Sequence, residues 1–337
     1  MVFGLFYDQT YAEEKREERR EKRREERVTP INLDKYMKND VDNILIKYNL
    51  SQKEMYNTYS YTKKKPLIVH CCHHKTGTVV IEKVLRTIAD YFDLKYQYCG
   101  QSKLQNDTDI WMQHHSKIDL STIDRPVVGT HMIRNPCSII VSAYEYHKNT
   151  KEGWANRKIN TLNKMTYKDI LNTLNKEEGL IFEMKNKLYV ESSKNTIMDI
   201  YNWDYNMPNF LELKYEELME NYDGVIRNML KHYGFTRDMI KESLRLVRKY
   251  NIRNKNDSEL DKNKHITNKS INLEKWREYF NNKNIVEKFR KIYPNDLFEK
   301  IGYPVVDFNV DSGSNSVNNI NIGKKWIRYG GDIPYEI

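Results

Sequence analysis

The stretch PLIVHCCHHKTGTVVIEKVLRTIADYF, residues Pro66–Phe92, decides the fold of this chain. Its first part is a continuous apolar run, which is typical of a strand buried on both faces of a sheet. Its last part carries apolar residues at helical spacing, namely Val80, Ile81, Val84, Leu85, Ile88 and Phe92. The stretch therefore predicts a strand that passes through a short loop into a helix.

The loop between them, HHKTGT, has the composition of an anion site. Backbone N–H groups converge in such a turn, and the following helix adds its positive dipole end. Gly77 permits a close backbone approach, Lys75 brings a full charge, and Thr76 and Thr78 bring hydroxyl donors. The P-loop of nucleotide triphosphatases ends in Gly-Lys-Ser/Thr, whereas here the lysine comes first. An ordinary turn with an exposed lysine explains this short segment equally well.

A second strand–helix junction follows in VVGTHMIRNPCSIIVSAYEYH, residues 127–147. The strand places Arg134 at its C-terminal end, Asn135 can cap the next helix, and Pro136 suits its first position. Ser142 comes eight residues after Arg134, two turns into that helix. Arginine offers a planar fork for a phosphate, and serine offers a hydroxyl. Two such junctions predict a ligand with phosphates at two separate places, which ATP does not need.

Strands that alternate with helices predict an α/β fold, with a central, mainly parallel sheet flanked by helices. Further strands are predicted in residues 94–100 and 109–116, and a helix is predicted in 273–280. The predicted domain plan has four parts: a charged N-terminal arm, helical or disordered (1–30), a helical lead-in with a basic linker (31–65), the α/β domain (66–306) and a C-terminal tail (307–337).

The formal net charge of the 337-residue chain is +9. The charged run 11–27 carries eight basic and seven acidic residues, so the excess lies in the body of the chain. It suits an anionic partner, although a solubilising surface explains many of the lysines as well. The four cysteines fit neither a zinc site nor a disulfide framework, which predicts a reducing compartment and a cytoplasmic location. No metal site, signal peptide or membrane span is predicted.

Several segments together resemble the sulfotransferases that use 3′-phosphoadenosine-5′-phosphosulfate (PAPS). The loop HHKTGT resembles their 5′-phosphosulfate loop, and IRNPCSIIVSAYEYH resembles their 3′-phosphate motif. The segments LKYEELMENYDGVIRNMLKHYGF and LEKWREYF with the later FEKIGY resemble their tyrosine–glutamate segment and closing tryptophan–phenylalanine helix. The resemblance spans residues 66–303 in the family's order, and it implies a P-loop NTPase-like sulfotransferase fold.

The resemblance also implies roles for individual residues. Lys75 would bind the 5′-phosphosulfate and its bridging oxygen, and Tyr215 would approach the adenine. Phosphate contacts are implied for Thr76, Gly77, Thr78, Arg134, Ser142 and Lys269. PAPS would be the cosubstrate and PAP (3′-phosphoadenosine 5′-phosphate) the second product. The sulfuryl group would pass to a hydroxyl or amine of a small-molecule or glycan acceptor, with no metal required.

The acceptor must lose a proton, and a histidine suits that task. In cytosolic members of the family a catalytic histidine precedes the arginine by about 20 residues, which implies His115 or His114. Alternation along a strand allows only one of the two to face the site, and His115 is favoured. Glu82, on the helix after the loop, is interpreted as a solvated residue. His73 and His74 either contact the ligand or merely fill the loop.

Three other functions fit parts of the sequence. A P-loop nucleotide kinase or NTPase is disfavoured because the chain lacks Gly-Lys-Ser/Thr and a strand that ends in a magnesium-binding aspartate. A nucleic-acid-binding protein is disfavoured because basic and aromatic residues form no binding motif. A catalytically inactive nucleotide-binding relative stays open, and so does the oligomeric state.

Overall fold

The computed structural model describes residues 65–158, 164–185, 196–207, 209–256, 258, 272–306 and 308. The predicted arm, the lead-in apart from Lys65, the tail apart from Phe308, and Lys269 lie outside the described residues. Within the described ranges, no helix combines the length and apolar character that crossing a membrane requires.

Five parallel strands form one sheet with the order β2-β3-β1-β4-β5. Their bounds are β1 Leu67–Cys72, β2 Tyr96–Tyr98, β3 Ile110–Gln113, β4 Val127–Ile133 and β5 Phe210–Lys214. The parallel sheet predicted from the alternation of strands and helices is thus confirmed. In this sheet β2 and β3 lie on one side of β1, and β4 and β5 lie on the other side. In such sheets, ligands bind where the connections diverge, here at the carboxyl ends of β1 and β4.

The helices flank this sheet. The α-helices are α1 Thr78–Phe92, α2 Pro136–His147, α3 Tyr167–Thr173, α4 Lys176–Lys185, α5 Thr196–Tyr201, α6 Tyr215–Glu220, α7 Tyr222–His232, α8 Arg237–Val247, α9 Lys283–Ile292 and α10 Leu297–Lys300. Short 3₁₀ helices span Gln101–Lys103, Leu120–Thr122, Arg248–Tyr250, Ile252–Asn254 and Lys275–Glu278.

The core has three parts that fix the position of the two junctions. One sheet face packs against α1, α7 and α8, with the predicted apolar stripe of α1 directed into this cluster. The opposite face, which includes Val69 and Trp111, packs around Trp203. A third cluster joins α2 to α4 and α9. Because Cys72 pairs with Met132, the ends of β1 and β4 lie side by side, and so do the loops that follow them.

Two predicted elements differ from the observed ones. The predicted helix 273–280 is only the 3₁₀ helix Lys275–Glu278, since Asn282 caps the start of α9 four residues after it ends. The predicted strand 109–116 ends at Gln113. The Gln113 side chain accepts from His115 N and donates to Lys117 O, which closes a turn at this point. His114 and His115 therefore lie beyond the strand, and strand alternation does not govern their directions.

Candidate active site

The loop after β1 is shaped by its two threonines. The Thr76 and Thr78 hydroxyls donate to the carbonyl of His73 at 2.8 and 3.0 Å, and His73 N donates to Thr76 Oγ1 at 2.9 Å. Lys75 and Gly77 have positive φ values of 65° and 98°. These features wrap the backbone into a tight turn at the N-terminus of α1, where N–H groups favour an anion.

Tyr215 and Arg134 join the two junctions. A Cβ at Gly77 would lie 3.0 Å from the Tyr215 ring, so this position requires glycine for space as well as for φ. The Arg134 guanidinium lies 4.3 Å from the centre of the same ring. It also donates to the Lys75 carbonyl at 3.0 Å. Four of the residues singled out from the sequence are thus brought together.

The second junction has the predicted helix cap and is also hydrogen-bonded to Glu216. Asn135 caps α2 by accepting from Cys137 N and Ser138 N, and Pro136 occupies the first turn. Asn135 N donates to Glu216 Oε1 at 3.0 Å, and Tyr303 OH donates to Glu216 Oε2 at 2.6 Å. The carboxylate of Glu216 therefore connects the Arg134 junction to the segment that resembles the family's terminal Gly-Tyr.

A small pocket lies beside α2. Its lining includes Arg134, Ser138, Ser142, Glu145, Lys275 and Trp276. Within the described part of the chain, Arg134 Nε is buried without a hydrogen-bond partner, which leaves a charged donor unsatisfied. Lys275 Nζ lies 2.6 Å from Glu145 Oε1, so this pair adds little net charge. A phosphate would satisfy the buried arginine donor.

Lys75 is partly buried and lies near a second cation. Its Nζ lies over the Tyr146 ring, 4.0 Å from the centroid. Burial, and then the charge of Arg134, lower the pKa of Lys75 to about 7, while the carboxylates of Glu152, Glu183 and Glu145 act in the opposite direction. A bound anion would oppose both lowering effects and favour the charged ammonium.

His73 ends a buried series of hydrogen bonds that we call the sheet array: Glu212, His131 and His73. Glu212 Oε2 lies 2.7 Å from His131 Nδ1, and His131 Nε2 lies 2.7 Å from His73 Nε2. Trp203 Nε1 donates to Glu212 at 2.9 Å and its ring lies 4.1 Å from that of His131. Burial raises the pKa of Glu212 to about 8 and lowers the pKa of His131 to about 3.

His74 ends a second series, the helix array: Glu183, His147 and His74. His147 Nδ1 lies 3.0 Å from both carboxylate oxygens of Glu183, and Tyr167 OH donates to the same carboxylate at 3.0 Å. His147 Nε2 lies 2.9 Å from His74 Nε2, and the two ring planes differ by 15°. Glu183 and His147 are buried, whereas His74 is partly exposed.

The other base candidates lie around the same loop. The His115 ring is exposed and lies 4.0 Å from that of His114. It is close enough for its charge to lower the pKa of both His73 and His74, after the larger effects of burial, of the neighbouring array histidine and, for His74, of Lys75. Glu82 pairs with Arg86 at 2.8 Å along the surface of α1, in keeping with its interpretation as a solvated residue.

Sequence reasoning missed the two glutamates and Tyr146. Glu212 had one available signal, because it lies in the predominantly apolar strand FLELK, where a carboxylate directed toward the core needs a hydrogen-bond partner. Glu183 had none, since it lies in a helix of mixed polarity and reaches His147 from 36 residues away.

Comparison with protein-family profiles gives one match. The profile of the sulfotransferase domain family matches residues 130–302. A solved structure of mouse sulfotransferase SULT7A1 complexed with PAP is similar at 12% identity and a TM-score of 0.38, covering 75% of this chain and 90% of that chain. No curated protein matches.

Proposed function

The chain belongs to the sulfotransferase domain family, and from this membership we propose that it transfers a sulfuryl group from PAPS to an acceptor and releases PAP. The acceptor group is a hydroxyl or amine on a small molecule or glycan. The match covers Arg134, Ser142 and Tyr215, and the loop with Lys75 precedes it in the chain.

One observation carries the proposal. Arg134 binds the Lys75 carbonyl, yet its buried Nε has no partner among the described residues. Two cations from adjacent junctions would repel each other without an anion, and the effect of Arg134 on the pKa of Lys75 is a sign of that repulsion. A nucleotide with a 5′-phosphosulfate and a 3′-phosphate fits both positions at once.

We assign the roles as follows. Lys75 and the loop amides hold the 5′ group, and Lys75 stabilises charge that develops on the leaving phosphate oxygen. Arg134 and Ser142 hold the 3′-phosphate, and Lys269 is the further contact proposed from the sequence. Tyr215 supports Arg134 through its ring. When bound, PAPS supplies a sulfuryl group on an oxygen that it shares with the 5′-phosphate.

The compartment belongs to the proposal as well. Cys71, Cys72 and Cys137 are buried free thiols, and Cys99 is a partly exposed one. Thiols that persist in this form support a reducing compartment, and we propose that the protein acts in the cytoplasm.

The test is calorimetric titration with PAP and, separately, with ADP. Each ligand has an adenine and two phosphates, but only PAP carries a phosphate on its 3′ oxygen. We expect PAP to bind at about micromolar strength, or about −8 kcal/mol, and ADP to bind at least about tenfold more weakly. Arg134→Ala should abolish the preference. Arg86→Ala, which alters an exposed arginine on α1, is the matched control and should keep it.

Equal binding of both ligands, or tighter binding of ADP, would contradict the proposal and favour a nucleotide kinase. Binding of neither would also contradict it. If PAP binds as expected, a screen with ³⁵S-labelled PAPS against phenols, alcohols, amines and glycans tests for transfer. PAP binding without transfer to any of them would favour a binding-only relative.

A further inference from the structure

We propose that His74 is the general base of the transfer, and that His147 and Glu183 are positioning residues that orient it and balance its charge. This assignment rests on the proposed sulfuryl transfer. It replaces the sequence-based preference for His115 with a residue of the loop itself.

The hydrogen-bond partners fix where the protons lie. The Glu183 carboxylate can only accept, and it already accepts from Tyr167 OH, so His147 Nδ1 carries a hydrogen. When His147 carries only this ring hydrogen, its Nε2 has a lone pair, and His74 Nε2 supplies the hydrogen in the 2.9 Å contact. That leaves the lone pair of His74 on Nδ1. This atom makes no hydrogen bond within the described residues.

The position of His74 suits a base. It directly precedes Lys75, which would contact the group being transferred, and the rings of His74 and Tyr146 lie 6.3 Å apart. Tyr146 also lies under the Lys75 ammonium, so the last turn of α2 holds both residues. His73 differs in its exposure, because this residue is only 2% exposed whereas His74 is partly exposed.

The alternative base lacks such support. The His115 ring makes no hydrogen bond within the described residues and is exposed to solvent. An imidazolium formed there would have no buried carboxylate to balance it. An imidazolium formed at His74 would be balanced by Glu183 through His147.

The proton and electron pairs balance in the proposed step. The acceptor oxygen or nitrogen forms a bond to sulfur, while the bond between sulfur and the bridging oxygen breaks. The electron pair of the broken bond stays on the 5′-phosphate of PAP, beside Lys75. The acceptor proton moves to His74 Nδ1. The groups that face His74 are Lys75 in the loop, Tyr146 and His147 on α2, and His115 after β3.

The direct test is ¹⁵N NMR of the histidine side chains in the PAP-bound protein, with the His74 signals identified by their loss in His74→Gln. We expect the tautomer with hydrogen on Nε2. Glu183→Gln should lower the pKa of His74 by about one unit or more, because the imidazolium loses its counter-charge. The matched control is Glu212→Gln, the same substitution in the sheet array, which should change the pKa of His74 far less.

Hydrogen on Nδ1 of His74, or equal shifts of the His74 pKa in Glu183→Gln and Glu212→Gln, would overturn the assignment.

A kinetic test uses an acceptor found in the screen. His74→Gln should lower kcat about 100-fold or more and keep the PAP dissociation constant within about threefold. In Glu183→Gln the acidic limb of the pH–rate profile should move to lower pH. Loss of kcat in His115→Gln rather than His74→Gln would also overturn it. Failure of PAP to bind the unaltered protein would instead contradict the proposed function.

Discussion

The sheet array and the helix array contain the same three groups in the same order, yet they end in different environments. Each begins with a glutamate, passes through a buried histidine and ends in a histidine of the loop after β1. The sheet array lies under Trp203 and ends in a fully buried ring. The helix array is supported by Tyr167 and ends in a partly exposed ring.

The contrast separates two uses of one motif. An array whose last histidine is buried can only hold the loop backbone in place, because no substrate reaches that histidine. An array whose last histidine is accessible can also exchange a proton with a substrate. We therefore expect the environment of the last residue, and not the composition of the series, to decide the role of each array.

The largest effect is expected when the sheet array is broken. His131→Ala removes a buried ring from Trp203 and leaves Glu212 and His73 without that partner. We expect a loss of about 3–5 kcal/mol in the free energy of unfolding, from the cavity and the unpaired polar groups, measured by urea denaturation. His74→Ala, at the accessible end of the helix array, should cost about 1 kcal/mol or less. Equal losses would show that both arrays are structural.

PAP affinity should distinguish the two neighbouring loop histidines. His73→Ala removes the side-chain anchor of the residue to which Thr76 and Thr78 are bound. We expect PAP to bind about tenfold more weakly, or about 1.4 kcal/mol, by calorimetry. His74→Ala should change the affinity by less than about threefold. The reverse order would contradict the division of roles.

The pH dependence of PAP binding should report on the helix array through Lys75. In the protein without ligand, burial and Arg134 lower the pKa of Lys75 to about 7. A bound anion raises this pKa, so PAP binding above pH 7 is coupled to uptake of a proton by Lys75. Affinity should therefore fall as pH rises above 7, by up to about tenfold per pH unit. Glu183 raises the pKa of Lys75, so in Glu183→Gln the fall in PAP affinity should begin at a lower pH. An unchanged pH profile in Lys75→Met would contradict the assignment to Lys75.

The smallest effect is expected from removing one donor to Glu183. Tyr167→Phe deletes the hydroxyl that binds the carboxylate and keeps the ring. We expect a loss of about 1 kcal/mol in the free energy of unfolding, with PAP affinity unchanged. A loss above about 3 kcal/mol would mean that the carboxylate depends on this hydroxyl more than on His147.

Local patterns predicted much of the fold. The apolar run Leu67–Cys72, the stripe of α1, and the Asn135–Pro136 start of α2 all depend on neighbouring residues, and the structure confirms them. The end of β3 could not be predicted in this way. It depends on the side chain of Gln113, which accepts from His115 N and donates to Lys117 O in the turn that follows the strand.

The candidate site was predictable in part. Lys75, Gly77, Arg134 and Tyr215 follow from motifs, and the structure brings them together. The two arrays do not follow from motifs, because their hydrogen bonds join residues 36 to 81 positions apart. No local pattern records that Glu183 faces His147 or that Glu212 faces His131.

The carboxylate of Glu216 has a consequence for how the protein is made. It binds Asn135 N with one oxygen and Tyr303 OH with the other, across 81 and 87 positions of sequence. A chain that emerges from the ribosome from its N-terminus carries Arg134 long before residue 303 is synthesised. The arginine junction therefore reaches its final form only when nearly the whole described chain has been translated. We therefore expect the proposed nucleotide binding to begin only after residue 303 has been translated.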